Sequence, residues 1–146
     1  MEPHAAILLI GPLDSHRGAL RDILAASPGD IHEAATYGEA VAILNYRRIA
    51  VAICDAEIEG GNWQALWSHV QSQPHPPNLI VSSRLADERL WAEVLNLGGY
   101  DVLAQPFDPG EVLRVAQMAC LDWRRRCLTR ITETRGAFHV NTVAAS

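Results

Sequence analysis

The sequence predicts an α/β fold, a parallel sheet with helices packed on both faces. Three observations carry that expectation. Short, wholly apolar runs such as Ala6 to Ile10 and Ile49 to Cys54 recur along the chain, as strands covered on both sides do. Stretches with helical spacing of apolar residues separate them. Gly, Pro, Asn or Asp stands at nearly every junction.

Taken in order, AILLI at 6–10 is the first buried strand, closed by Gly11-Pro12. Asp14 or Ser15 caps a helix carrying Leu20, Ile23 and Leu24, with its stop at Ser27-Pro28-Gly29. A weaker strand follows near 30–35, then a helix through Ala40, Val41 and Leu44. The run IAVAIC forms the next strand and ends at Asp55. Glu59-Gly60-Gly61-Asn62 is a loop, with Asn62 capping a helix whose Trp63, Leu66, Trp67 and Val70 share one face. Both tryptophans are expected in the core. A proline-rich linker at 73–77 leads to a strand from Leu79 to Ser82. The fourth helix spans about 86–97 and stops at Gly98-Gly99. Asp101 to Ala104 is the last strand, and Pro106 and Pro109 precede a final helix through Trp123. Five strand–helix units in alternation leave few topologies once crossovers are right-handed.

At 146 residues the chain is the length of one domain, read as residues 1–126 with a C-terminal extension or linker at 127–146. The composition is 49% hydrophobic and 20% charged, which is globular rather than disordered. A net charge of −5 argues against direct nucleic-acid binding. No apolar run is long enough for a membrane span and no basic stretch precedes a signal-like segment, so no membrane role is expected. Three cysteines without metal-ligand or paired spacing fit a reducing, cytoplasmic setting. All twelve basic residues are arginine, which excludes any chemistry that needs a lysine ammonium.

Ligands of an open parallel sheet sit at the carboxyl ends of its strands. The residues to read there are Gly11-Pro12-Leu13, Asp55, Ser82-Ser83 and Gln105-Pro106. Together with ILLI, AICDAEIEGG, LIVSSR and LGGYDVLAQPF, in that order and at that spacing, they make the chain resemble the response-regulator receiver family over roughly residues 5 to 123. The resemblance implies a flavodoxin-like, doubly wound five-stranded parallel sheet in the order 2-1-3-4-5. It implies two-component-type signalling by phosphoryl acceptance on an aspartate. Asp55 matches that phosphoacceptor, and Ser82 matches the hydroxyl residue that contacts the phosphoryl group.

The departures from the family matter more. Its two metal-binding acidic positions are Gly11 and Pro12 here, its lysine is Gln105, and its aromatic switch residue is Val102. Mg²⁺ takes near-octahedral oxygen ligation with one or two carboxylates beside the phosphate. Phosphoryl transfer depends on metal and cationic groups that neutralise the equatorial oxygens. One such preorganised group is worth about 3–4 kcal/mol, so several losses together leave slow phosphorylation at best. No resident cofactor is expected, and Mg²⁺ binding should be lost or weak. Asp14, as a side-chain ligand instead of a cap, and Glu57, as a ligand instead of a loop carboxylate, are the two acids able to rebuild a site. No catalytic constellation stands out: Ser82-Ser83 lacks a nucleophile elbow, the histidines are scattered, and Arg124-Arg125-Arg126 reads as a solvated helix end.

The fourth helix carries the partner signal. Leu90, Trp91, Val94, Leu95 and Leu97 cover an arc of roughly 160° at about 100° per residue, wider than one core stripe needs. The Trp91–Leu95 edge should therefore lie outside and form an interface. In the family, dimers and output partners dock on the face made by the fourth helix, fifth strand and fifth helix. The reading is of a degenerate receiver that acts as a protein-interaction module, a protein partner or a second copy binding at that face, with no enzymatic activity of its own. Two others stand beside it: a response regulator slowly phosphorylated on Asp55, and a small-molecule sensor using the cleft at the strand ends.

Overall fold

The computed structural model of the protein describes residues 6–12, 14–26 and 29–145, with no description of the side chains of residue 15 and residues 130–145. The strands are β1 (Ala6–Ile10), β2 (Ile31–Ala34), β3 (Ile49–Asp55), β4 (Glu57–Ile58), β5 (Gly61–Asn62), β6 (Asn78–Ser83) and β7 (Asp101–Ala104). The helices are α1 (Ser15–Leu24), α2 (Tyr37–Tyr46), α3 (Trp63–Val70), α4 (Glu88–Asn96) and α5 (Pro109–Ala145). Five strands form one parallel sheet in the order β2-β1-β3-β6-β7, the doubly wound 2-1-3-4-5 arrangement. The other two strands, β4 and β5, form a small antiparallel hairpin that the loop reading at Glu59-Gly60-Gly61-Asn62 did not foresee.

Alternation along the strands sorts the core into two layers. Leu8, Ile10, Ala52, Cys54, Leu79 and Val81 face α2, α3 and α4, where Leu44, Trp63, Leu66, Val70 and Val94 cover them. Ile7, Leu9, Val51, Ile53, Ile80 and Leu103 face α1 and α5, against Leu24, Val115, Ala119 and Trp123. Both layers are buried, which is why the strands read as unbroken apolar runs.

The caps follow the chemistry of their side chains. Asp14 accepts from the backbone N–H of His16 and Arg17 at 3.0 and 3.1 Å, so it caps α1. Asn62 caps α3 through Ala65 N, and Asp87 caps α4 through Leu90 N. Helix α1 ends at Leu24, and the expected stop at Ser27-Pro28 lies outside the described residues, as does Leu13. Gly98, at φ 99°, ends α4 in the left-handed region where a side chain is strained.

Two expectations need correction. Trp67 is only partly buried: its ring lies over Gly98, and its Nε1–H donates to the Leu97 carbonyl, so this ring braces the α4 terminus from the rim of the core. The Arg124–Arg126 run does not end a helix, because α5 continues to Ala145. Arg126 instead donates to Pro76 O and Asn78 Oδ1 at 3.3 and 2.7 Å, tying α5 to the start of β6. No described helix is long and apolar enough to cross a membrane.

On α4 the burial is divided along its width. Val94 is fully buried, while Trp91, Leu95 and Leu97 are 51%, 37% and 46% exposed. Trp91 Nε1 lies 3.3 Å from Asp101 Oδ1, which places the indole along the α4–β7 edge.

Candidate functional site

The parallel register brings the strand-end residues together. Asp55, the last residue of β3, stands opposite Ser82 on β6, and Ser82 stands opposite Leu103 on β7, two residues before Gln105. Gln105 is held in place by its own backbone N–H, which donates to Ser83 O at 3.0 Å. From there its Nε2 reaches Asp55 Oδ2 at 3.2 Å and Ser82 Oγ at 3.4 Å. The other Asp55 oxygen, Oδ1, accepts from Glu57 N at 3.2 Å. Ser82 is 3% exposed, the one polar residue among those described that is fully buried, and Gln105 supplies its hydroxyl with a partner.

Gly11 and Pro12 sit across from this cluster at the end of β1 and line the same cleft. Gly11 is buried and its backbone closes on Asp55: a Cβ built there would lie 3.1 Å from Asp55 Cβ, tighter than ordinary contact. Pro12 is exposed and brings no oxygen from its side chain. Glu57 is exposed and does not line the cleft; Asp14 does line it, with its Oδ1 engaged as the α1 cap. Among the described residues no group of three or more His, Cys, Asp or Glu side chains is placed to hold a metal ion. The cleft holds a cavity of about 10 Å³, the space of about one water.

Next to Asp55, the Cys54 thiol is fully buried, and burial first, then the neighbouring Asp55 charge, pushes it far above the ordinary thiol range. It stays protonated and packs as a small apolar group, donating to Asp55 O.

Arg17 was missed in the sequence reading. Its side chain is only 10% exposed, it lines the cleft with Asp55, and its Nη1 donates to Gly11 O at 3.1 Å. The available signal was an arginine standing three and seven residues before Leu20 and Leu24, on the stripe of α1 that faces the sheet. Phe107 and His16 close the cleft, their rings edge to face at 6.2 Å.

The order of strands and the placement of an aspartate, a hydroxyl residue and a Gln-Pro pair at their carboxyl ends define the class: this is the fold of response-regulator receiver domains. Solved structures agree. The chain is similar to the signal receiver domain of an HD domain-containing protein from Pseudomonas fluorescens Pf-5, with a TM-score of 0.75 and 22% identity over 84% of this chain and 99% of that one. A chemotaxis response regulator of Vibrio cholerae is similar with a TM-score of 0.72 and 20% identity, over 80% of this chain and 99% of its own. A beryllofluoride-activated NtrC4 receiver domain dimer gives 0.74 and 18%, over 81% and 98%. No protein-family model and no curated protein matches the sequence.

Proposed function

We propose that this chain is a two-component-type signalling module whose receiver fold is used for protein–protein contact and whose strand-end pocket no longer supports metal-dependent phosphorylation. The observation that carries the reading is Gln105: a neutral amide occupies the place of the family's lysine and hydrogen-bonds both Asp55 and Ser82. An amide satisfies a carboxylate, but it brings no positive charge to a transferred phosphoryl group. The residues around Asp55 do not fit Mg²⁺. Gly11 and Pro12 offer no carboxylate, the Gly11 carbonyl is taken by Arg17, and both Asp55 oxygens are engaged. A hard cation that keeps several waters and needs regular octahedral geometry finds too few donors and too little room.

The partner surface is the α4–β7–α5 face, with Trp91 and Leu95 at its edge. A half-exposed indole beside exposed leucines is the kind of apolar patch that marks an interface. A dimer among the similar receiver structures supports self-association as one mode of contact. A cytoplasmic location fits the thiol content and this class of module.

Incubation with acetyl phosphate and Mg²⁺, followed by intact-mass measurement of the wild type and Asp55→Asn, tests the proposal. The expected result is no Asp55-dependent mass gain. A phosphoryl adduct lost in Asp55→Asn would instead establish the slow phospho-switch, which the partial exposure of Asp55 favours as second reading. A cavity the size of one water weighs against an organic ligand in this cleft, since small-molecule sites run to roughly 300–1,000 Å³.

A further inference from the structure

We propose that Arg17 is the resident counter-cation of the Asp55 pocket, supplying from within the chain the positive charge that a divalent ion supplies in a metal-binding site. The inference rests on the reading that the pocket takes no Mg²⁺, and it names the residue that keeps the ion out.

A guanidinium 10% exposed is costly unless paired. Arg17 Nε lies 3.4 Å from Glu33 Oε1 without a well-aligned hydrogen bond, so that contact is charge against charge. Glu33 does not belong to Arg17 alone, because Arg21 Nη1 stands 3.7 Å from its Oε2. Two arginines share one carboxylate, and the cluster keeps one positive charge in excess. Asp55, lining the same cavity, accepts only neutral donors, the Gln105 amide and the Glu57 N–H, and among the described residues it has no ion-pair partner. Asp14, the α1 cap, lines the same cavity and also accepts only backbone N–H groups, so the excess guanidinium charge faces two carboxylates that lack an ion-pair partner among the described residues.

Position strengthens the case. The Gly11 carbonyl at the end of β1 is an oxygen donor of the kind a hard cation uses, and Arg17 Nη1 occupies it at 3.1 Å. The same glycine lies beside Asp55: a Cβ built on it would fall 4.0 Å from Asp55 Oδ2. One backbone position thus joins the guanidinium to the carboxylate's surroundings. Two like-signed ions sharing one small cleft repel, so a divalent ion entering here would meet a charge already in place.

The test restores one missing ligand and reads the field of the cluster. Mn²⁺ is titrated by electron paramagnetic resonance against wild type, Pro12→Asp, Pro12→Asp/Arg17→Gln and Pro12→Asp/Glu33→Gln, with folding checked by circular dichroism. Removing the cation should tighten Mn²⁺ binding to Pro12→Asp by about tenfold or more, and removing Glu33 should weaken it. Opposite signs from two neighbours in one cluster separate a field effect from structural damage, which moves both the same way. If Arg17→Gln leaves the affinity within about twofold, or if both changes shift it in one direction, Arg17 is not the counter-cation. Asp55-dependent Mn²⁺ binding by the wild type would instead overturn the metal-free reading itself.

Discussion

Gln105 and Asp55 meet across the carboxyl end of the sheet, the amide nitrogen of one 3.2 Å from carboxylate Oδ2 of the other. The bond links residues on two different strand ends and also engages the Ser82 hydroxyl. A hydrogen bond from an amide to an ionised carboxylate is worth about 1.5–3 kcal/mol, toward the lower end where the site is partly exposed. Gln105→Ala should therefore lower unfolding stability by about 1.5 kcal/mol with an unchanged urea slope. Gln105→Lys converts the contact to an ion pair and should raise stability, yet still give no acetyl-phosphate adduct while Gly11 and Pro12 bring no carboxylate to the pocket.

The exposed edge of α4 yields a second prediction. Trp91 and Leu95 are 51% and 37% exposed, so truncating them removes little burial. Trp91→Ala and Leu95→Ala should each change the melting temperature by no more than a few degrees, roughly 1 kcal/mol in a domain of this size. They should nonetheless alter the oligomeric state measured by light scattering, or a partner affinity, at least tenfold. Unchanged assembly and unchanged binding in a folded Trp91→Ala protein would remove this face from consideration.

Gly99 is a packing constraint that a side chain breaks. A Cβ there would lie 2.9 Å from the Val94 carbonyl oxygen and closer still to the Val94 side chain, which is fully buried. Neither neighbour is the free end of a flexible chain. Gly99→Ala should cost about 1–3 kcal/mol by overpacking, read as a lower midpoint in urea, although alanine is ordinarily the milder residue beside a helix.

Tyr100 makes a prediction in alkali. Its hydroxyl donates to Asp122 Oδ2 at 2.6 Å. Burial first, then the Asp122 hydrogen bond and the Asp122 and Asp101 charges, push the phenol from 10.0 up to about 12. The folded value lies above the unfolded one, so the stability this group contributes is complete below about pH 10 and is lost as pH rises through about 12. Titration by tyrosinate absorbance should show a late-ionising component that is absent in Tyr100→Phe. The variant's stability should also decline less steeply across that interval.

The α/β architecture, the two buried central strands, the Asn62 and Asp14 caps and the stop at Gly98 follow from local chemistry: apolar period, cap side chains and glycine conformations act over a few residues. Asp55, Ser82 and Gln105 were legible as a group because strand ends in a parallel sheet converge by geometry. Trp91 and Leu95 were legible as surplus apolar width on one helix. What only the tertiary structure decided are contacts between residues far apart in sequence. Arg17 against Gly11 and Glu33, Arg126 against Asn78, and the Trp67 ring over Gly98 depend on which helix face meets which strand end. The physical reason is reach: a helical stripe shows that Arg17 faces inward, but where its guanidinium stops depends on the angle at which α1 crosses the sheet.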